Sequence, residues 1–450
     1  MILSALLFLF SAISLSLQSS FVVSAQDDDL QKGVQSVGSM VPSPNDFEGP
    51  LNYSYDEIDR HAMNAPSSVE ASVKSLAEYL VEPAKNDREK ARAIFRWIAK
   101  NIEYDVAGSI SGSYGSMNSG DLLKSRRSVC EGYSDLFEAL AAEAGLTAVH
   151  ISGYGKGYSY RPGDKFSGPS NHAWNAVRIN GSWYLIDCTW GAGFVDDQGR
   201  FVREFDGHYF MTPPSEFVYD HLPVDPSWQL LIRPVSKPEF ERLVHVKARF
   251  FDYGLEIGSP AQATFEARGE ANLSIYAPED VLMTATLEQA RDDSSFAVTR
   301  LEDLTLSERD KAQYDIYALF PEKGCYILRA YAKKRGEPGE YHEVAEYGIN
   351  STVGKGEGAG FPHVFGKFSD VEAYLTSPME GRLMSGEEYG FRLRVPGARN
   401  VTVISGESWK KLDLRGDWFE GRVAPSKGDL LVAASFGGDS YDGLLKYTAV

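Results

Sequence analysis

Three side chains in this sequence have the types and spacing for nucleophilic acyl chemistry: the thiol of Cys130, the imidazole of His172 and the carboxylate of Asp187. Cys130 lies in Ser128-Val129-Cys130-Glu131-Gly132-Tyr133, where Ser128 and Glu131 read as a capping box with Ser128 as N-cap. Leu136, Phe137, Leu140, Ala141 and Ala144 then recur at helical spacing, and Gly145 supplies a stop. A thiol in the first turn of such a helix meets unpaired N–H groups and the positive end of the macrodipole, both of which favour the thiolate. An arbitrary free cysteine is more often a buried structural one; the polar cap and the neighbouring glycine set Cys130 apart.

A nucleophilic thiol needs a base, and the base needs an orienting group. Residues 171–179 and 182–187 are two runs rich in β-branched and aromatic side chains, joined by Asn180-Gly181. That is the strongest short-range hairpin signal. With those two residues as the loop of a type I′ turn, Ile179 faces Ser182, Trp174 faces Asp187 and His172 faces Thr189. His172, Trp174, Asp187 and Thr189 then share one face, with His172 and Asp187 diagonal neighbours about 7–8 Å apart. A packed histidine and a turn-forming aspartate explain each residue singly. Jointly they place an imidazole and a carboxylate on the face that must meet the Cys130 helix, which is the logic of a Cys-His-Asp triad.

Longer motifs carry a resemblance. The segment from Asp87 to Asp105 (DREKARAIFRWIAKNIEYD), then VCEGY at 129–133, HAWNAV at 172–177 and WYLIDCTWGAG at 183–193 resemble the transglutaminase-like superfamily of papain-type thiol enzymes. Tyr209 to Pro214, His221-Leu222-Pro223 through Trp228 to Leu231, and Gly366 to Asp370 are similar to its kyphoscoliosis peptidase branch. The resemblance covers roughly residues 67–450. It implies Cys130 as nucleophile, His172 as base and Asp187 as orienting carboxylate; Cys188 stands where many relatives have another small residue. Family members also use an upstream side chain beside the nucleophile's own N–H to hold the oxyanion, and the candidates here are Trp97 and Tyr104. Trp97 is equally readable as a core aromatic, since Ile94, Phe95, Ile98 and Ile102 define the apolar face of its helix.

At 450 residues the chain is too long for one core. The net charge of -18 argues against nucleic acid or an anionic membrane as partner. No zinc-type Cys/His spacing, phosphate-binding glycine loop or basic aromatic patch occurs, so neither a metal nor a cofactor is expected. Residues 1–25 are uncharged, with an apolar run from Ile2 to Leu17 and Val23-Ser24-Ala25 before Gln26, and read as a cleaved signal peptide. The run is too short for a spanning helix of about 20 residues. No later segment is apolar enough to cross a membrane, and the protein is expected to be secreted, periplasmic or extracellular. Among the three cysteines, Cys188 and Cys325 read as separately buried thiols. Asn52, Asn180, Asn272, Asn350 and Asn400 sit in NxS/T sequons.

These signals divide the chain into a signal peptide (1–25), a polar lead-in (26–66), a transglutaminase-like domain (67–243) and two β-sandwich domains (244–353 and 354–450). Structure is expected to start at a capping box formed by Ser67 and Glu70. The glycine-rich runs Gly108 to Gly120 and Gly153 to Gly168 read as loops near the thiol. The fold class is α+β: a papain-type thiol-enzyme domain, then two sandwiches built from short, evenly spaced strands. The expected chemistry is acyl transfer on protein or peptide amides through a thioester, with peptide hydrolysis favoured by the family branch. Deamidation and cross-linking share the same first half-reaction. A catalytically silent binding or scaffolding protein that keeps the fold is the competing class, and the sandwiches are candidates for a cell-surface partner.

Overall fold

The computed structural model describes residues 54–196, 198–289, 299–301, 303–438 and 440–450. The signal-peptide reading, residues 26–53 of the lead-in and the Asn52 sequon lie outside them.

The first domain is a helical layer on a five-stranded antiparallel sheet. Its helices as far as the main site are α1 (Asp56–Met63), α2 (Val73–Leu80), α3 (Asp87–Asn101), α4 (Val106–Ser111), α5 (Ser119–Ser125), α6 (Cys130–Glu143) and α7 (Cys188–Ala192), with two short ones, Pro214–Phe217 and Lys237–Arg242, beyond it. A two-stranded parallel pair, β1 (Glu103–Tyr104) with β2 (Arg127–Ser128), leads directly into α6. The main sheet is built from β3 (Thr147–Gly155), β4 (His172–Ile179) and β5 (Ser182–Ile186). After the small hairpin of β6 (Gly193–Val195) and β7 (Phe201–Arg203) come β8 (Phe210–Thr212) and β9 (His221–Pro223). The order in the main sheet is β8-β5-β4-β3-β9. Trp97, Phe95, Tyr133, Phe137 and Trp174 fill the layer between α3, α6 and the sheet, all at 1% exposure or less.

Three local readings need correction. Ordered structure begins before Ser67: α1 packs Ile58 and Ala62 inward, and Arg92 on α3 grips the Asp59 carboxylate with Nε and Nη2, both at 2.8 Å. Such a bidentate charged pair docks a helix whose apolar face is only two residues wide. Ser67 to Ala71 is a 3-10 turn, and the helical run starts after a second cap, in which Ser72 and Ser75 bond reciprocally. The glycine-rich run 108–120 is helical only at its ends, in α4 and α5, with the loop confined to 112–118. In the other run, Gly153 and Gly155 belong to β3, and Tyr160 packs on Phe166.

Two β-sandwiches follow. In the first, one sheet is centred on Gly324–Lys334 between Val281–Gln289 and His342–Ser351. The other is centred on Gln313–Leu319 between Glu270–Tyr276 and Thr305–Asp310. Its core continues into Val218, Phe240 and Val244 at the end of the first domain. The second sandwich repeats the plan around Gly428–Ser435 and Tyr389–Arg394. Cys325 lies exposed at the start of its strand opposite Asn350, not buried as the sequence suggested, and Cys188 is buried. Among the described residues all three thiols are free, and no helix is long and apolar enough to cross a membrane.

Candidate active site

Cys130 is the first residue of α6, but its cap differs from the sequence reading. The N-cap is Val129 and makes no side-chain cap bond. Ser128 is a strand residue in β2, with its hydroxyl toward the Met117 sulfur (3.5 Å). Glu131 turns away to His150 on β3 (2.9 Å), and this hydrogen bond leads in raising the His150 imidazole to about 9. The thiol is therefore placed by the β1–β2 pairing and by close packing of the first turn. A Cβ at Gly132 would lie 2.1 Å from the Ser128 hydroxyl, so only glycine lets α6 start this near β2. As the first helical residue, Cys130 has a backbone N–H without an intrahelical partner.

The hairpin has the register dictated by its turn: Ile179 pairs with Ser182 and Asn175 with Ile186, with φ of 50° at Asn180 and 87° at Gly181, both positive as type I′ requires. Pairing then stops. Asp187 is the N-cap of α7 rather than a strand residue, and its Oδ1 accepts from the backbone N–H groups of Thr189 (2.7 Å) and Trp190 (3.1 Å). His172 thus does not face Thr189; its strand neighbour on the other side is Gly153. The cap aims the second carboxylate oxygen at the imidazole, and His172 Nε2 donates to Asp187 Oδ2 at 2.7 Å. Asp187 is 0% and His172 8% exposed.

The other ring nitrogen of His172 is left for Cys130, with which His172 also hydrogen-bonds. Asn175, fully buried three residues along β4, donates to the Ser134 carbonyl of α6 (3.1 Å) and the Val149 carbonyl (3.2 Å). It locks the helix carrying the thiol onto the strand carrying the imidazole. Burial opposes a charge on His172, but the Asp187 carboxylate and its hydrogen bond, joined by Cys130, outweigh it and lift the imidazole to about 10. Burial likewise opposes the Asp187 charge, and the two imidazoles on it prevail, holding the carboxyl well below the usual range. Burial, then the Asp187 charge, push the Cys188 thiol far up, so that neighbour is no nucleophile at neutral pH.

The two upstream candidates part company. Trp97 is fully buried in the α3 core under the Arg126 guanidinium (4.8 Å from ring centroid), with its Nε1 unpartnered. Tyr104 ends β1 beside the thiol. Burial raises its phenol most; the hydrogen bond to Ser109 opposes this, and the charges of Cys130 and Asp187 add to it. Tyr104 also borders a cleft of about 450 Å³ lined by Val106, Ile110, Arg127 and Phe201.

Two functional neighbours escaped the sequence reading. Trp190 stacks on His172 (centroids 4.9 Å apart, 24° between planes) and shields one ring face. His221, wholly buried on β9, reaches the same Asp187 oxygen as His172, Nε2 to Oδ2 at 3.1 Å. His221 stands in the 221–231 block that carries the resemblance, but that block gave it no role; the pairing of Gly155 with His221 across β3 and β9 brings it to the site. His172, Asp187 and His221 have the spacing of a metal-binding trio, but their mutual hydrogen bonds account for that spacing.

Residues 74–188 match the model of the Transglutaminase-like superfamily, and residues 237–390 match that of the KY-like, immunoglobulin-like domain. The mouse (Mus musculus) Kyphoscoliosis peptidase is 31% identical over 65% of this chain and 42% of its own length. Hillarin of Drosophila melanogaster is 33% identical over 57% of this chain and 34% of its own. The chain thus spans well under half the length of these relatives. A crystal structure of a TGase matches at 17% identity and a TM-score of 0.21, covering 37% of this chain and 39% of that one. Residues 74–188 thus carry a transglutaminase-like domain and residues 237–390 a KY-like, immunoglobulin-like domain, an arrangement in which the chain is similar to the Kyphoscoliosis peptidase.

Proposed function

We propose that this protein is an exported thiol enzyme that hydrolyses amide bonds of proteins or peptides through a thioester on Cys130. The observation that carries this reading is the buried His172 imidazole held between the Cys130 thiol and the Asp187 carboxylate. His172 takes the thiol proton, and Sγ attacks the carbonyl carbon of the amide. The oxyanion that forms is met by the Cys130 N–H at the start of α6, with the Tyr104 phenol as the second donor. His172 then passes its proton to the leaving amine, the C–N bond breaks and the acyl group stays on sulfur. Water attacks the thioester, returns a proton through His172 and releases the acid. Asp187 stabilises the imidazolium in both halves.

Wild-type protein and Cys130→Ala, incubated with an unfolded protein substrate and a fluorescent primary amine, test this reading. New amino termini from the wild type alone, with amine incorporation at the variant's background, are the expected result. Incorporated amine makes it a cross-linking enzyme, and no turnover in either sample supports a silent scaffold. Export rests on residues 1–25, and the processed chain is expected to begin at Gln26.

A further inference from the structure

The Asp187 oxygen that His172 uses is shared. Oδ2 takes His172 Nε2 at 2.7 Å and His221 Nε2 at 3.1 Å, while Oδ1 is occupied by two backbone N–H groups. The opposite nitrogen of His221, Nδ1, lies 2.5 Å from Asp220 Oδ1. Asp220 in turn accepts from the Tyr209 hydroxyl at 3.2 Å. A carboxylate oxygen accepts hydrogen bonds, and each ring nitrogen of His221 faces one, so the ring can donate to both at once only when both nitrogens carry protons. The ring is gripped by Phe217, stacked at 3.8 Å and 16°, and by Trp174 edge-on at 4.9 Å. The line Asp220, His221, Asp187, His172, Cys130 is thus one unbroken hydrogen-bonded chain from a buried anchor to the thiol.

We infer that His221 is a positioning residue for the acyl chemistry: its Nε2–H holds the Asp187 carboxylate against His172, and its charge, anchored by Asp220, keeps that carboxylate ionised. The inference rests on the Cys130–His172 reading above. A buried carboxylate left with fewer donors costs more than one that is fully satisfied, and Asp187 has no solvent contact to make good the loss. The charged and titratable groups around the line are few. Asp220 feels Lys156 from the segment after β3, whose ammonium donates to the Leu243 carbonyl, and Tyr209. Asp187 faces the Cys188 thiol and Tyr104; His172 faces Cys130 and Glu131 of α6. Among these, His221 is the group in direct contact with both carboxylates.

Removing a cation raises the proton affinity of every neighbour, which gives the test a sign. The full chain carrying His221→Phe or His221→Gln is alkylated with iodoacetamide from about pH 4 to 9, and the rate at Cys130 is followed by mass spectrometry. In His221→Phe the acid limb is expected to move up by about one pH unit, so the rate at pH ~6 falls about tenfold, while the rate at the alkaline end is unchanged. His221→Gln keeps a donor toward Asp187 without the charge, and its limb is expected between the two. A residue that only fills the core alters the melting temperature and not the limb. An acid limb left at the wild-type pH in His221→Gln overturns the inference, whether or not the Phe variant folds. His172→Ala serves as reference: if it shares the wild-type limb, the Cys130–His172 reading itself fails, a different outcome from failure of His221 alone.

Discussion

Replacing Asp187 by asparagine is expected to lower Cys130-dependent turnover by roughly 10³–10⁴-fold. The amide keeps the shape but removes the charge that stabilises the His172 imidazolium, and it favours the wrong tautomer. In this structure Asp187 has a second task, capping α7 through Oδ1, so the same variant is expected to lose about 1–3 kcal/mol of stability as well. The pH dependence has two edges. The folded pKa of His172 is raised, to about 10, so its contribution to stability is fully present below its unfolded value of about 6.5 and is lost as pH rises through about 10. The folded pKa of Asp187 is depressed, so its contribution is present above about 3.9 and is lost as pH falls through the folded value. Asp187→Asn abolishes the acid edge and draws the alkaline limb of residual turnover to lower pH. Turnover and melting curves on one purified variant check this; a destabilised but fully active protein leaves Asp187 a structural cap only.

Insertion of one residue between Asn180 and Gly181 is expected to abolish Cys130-dependent acylation altogether. Strand side chains alternate faces, so a one-residue slip in β5 relative to β4 displaces Ile186 from Asn175 and with it the cap that aims Asp187 at His172. The core around Val432 draws no residue from the first domain, so the second sandwich should still melt cooperatively. Activity retained in the insertion variant contradicts the hairpin as the device that sets the site.

How much of this was legible in sequence depends on the range of the forces involved. The Asn180-Gly181 turn is local chemistry, and its register could be counted from the residues alone. The end of β5 could not, because Asp187 chooses between a strand and a helix cap according to what Trp190 and Thr189 do next. His172 and Asp187 meet, but through the cap and not through the diagonal pairing that the sequence suggested. Ser128 and Glu131 had the pattern of a capping box, yet the β1–β2 pairing and His150 claimed them. α1 was hidden because its docking is ionic, through Asp59 and Arg92. The strand Thr305–Asp310 was hidden because buried Glu308 and Arg309 interrupt its apolar alternation. His221 sits 34 residues from Asp187, and no periodicity reaches that far.

The central claim is that the environment of His172 makes Cys130 the reactive thiol, and limited alkylation with iodoacetamide at about pH 6 tests it most directly. Exposure alone favours the wrong residue, since Cys325 is exposed and Cys130 only 8% accessible. Peptide mass spectrometry is expected to find Cys130 modified first, Cys188 untouched and Cys325 slow, with the Cys130 preference lost in His172→Ala. Modification of Cys325 ahead of Cys130, or a Cys130 rate indifferent to His172, contradicts the account.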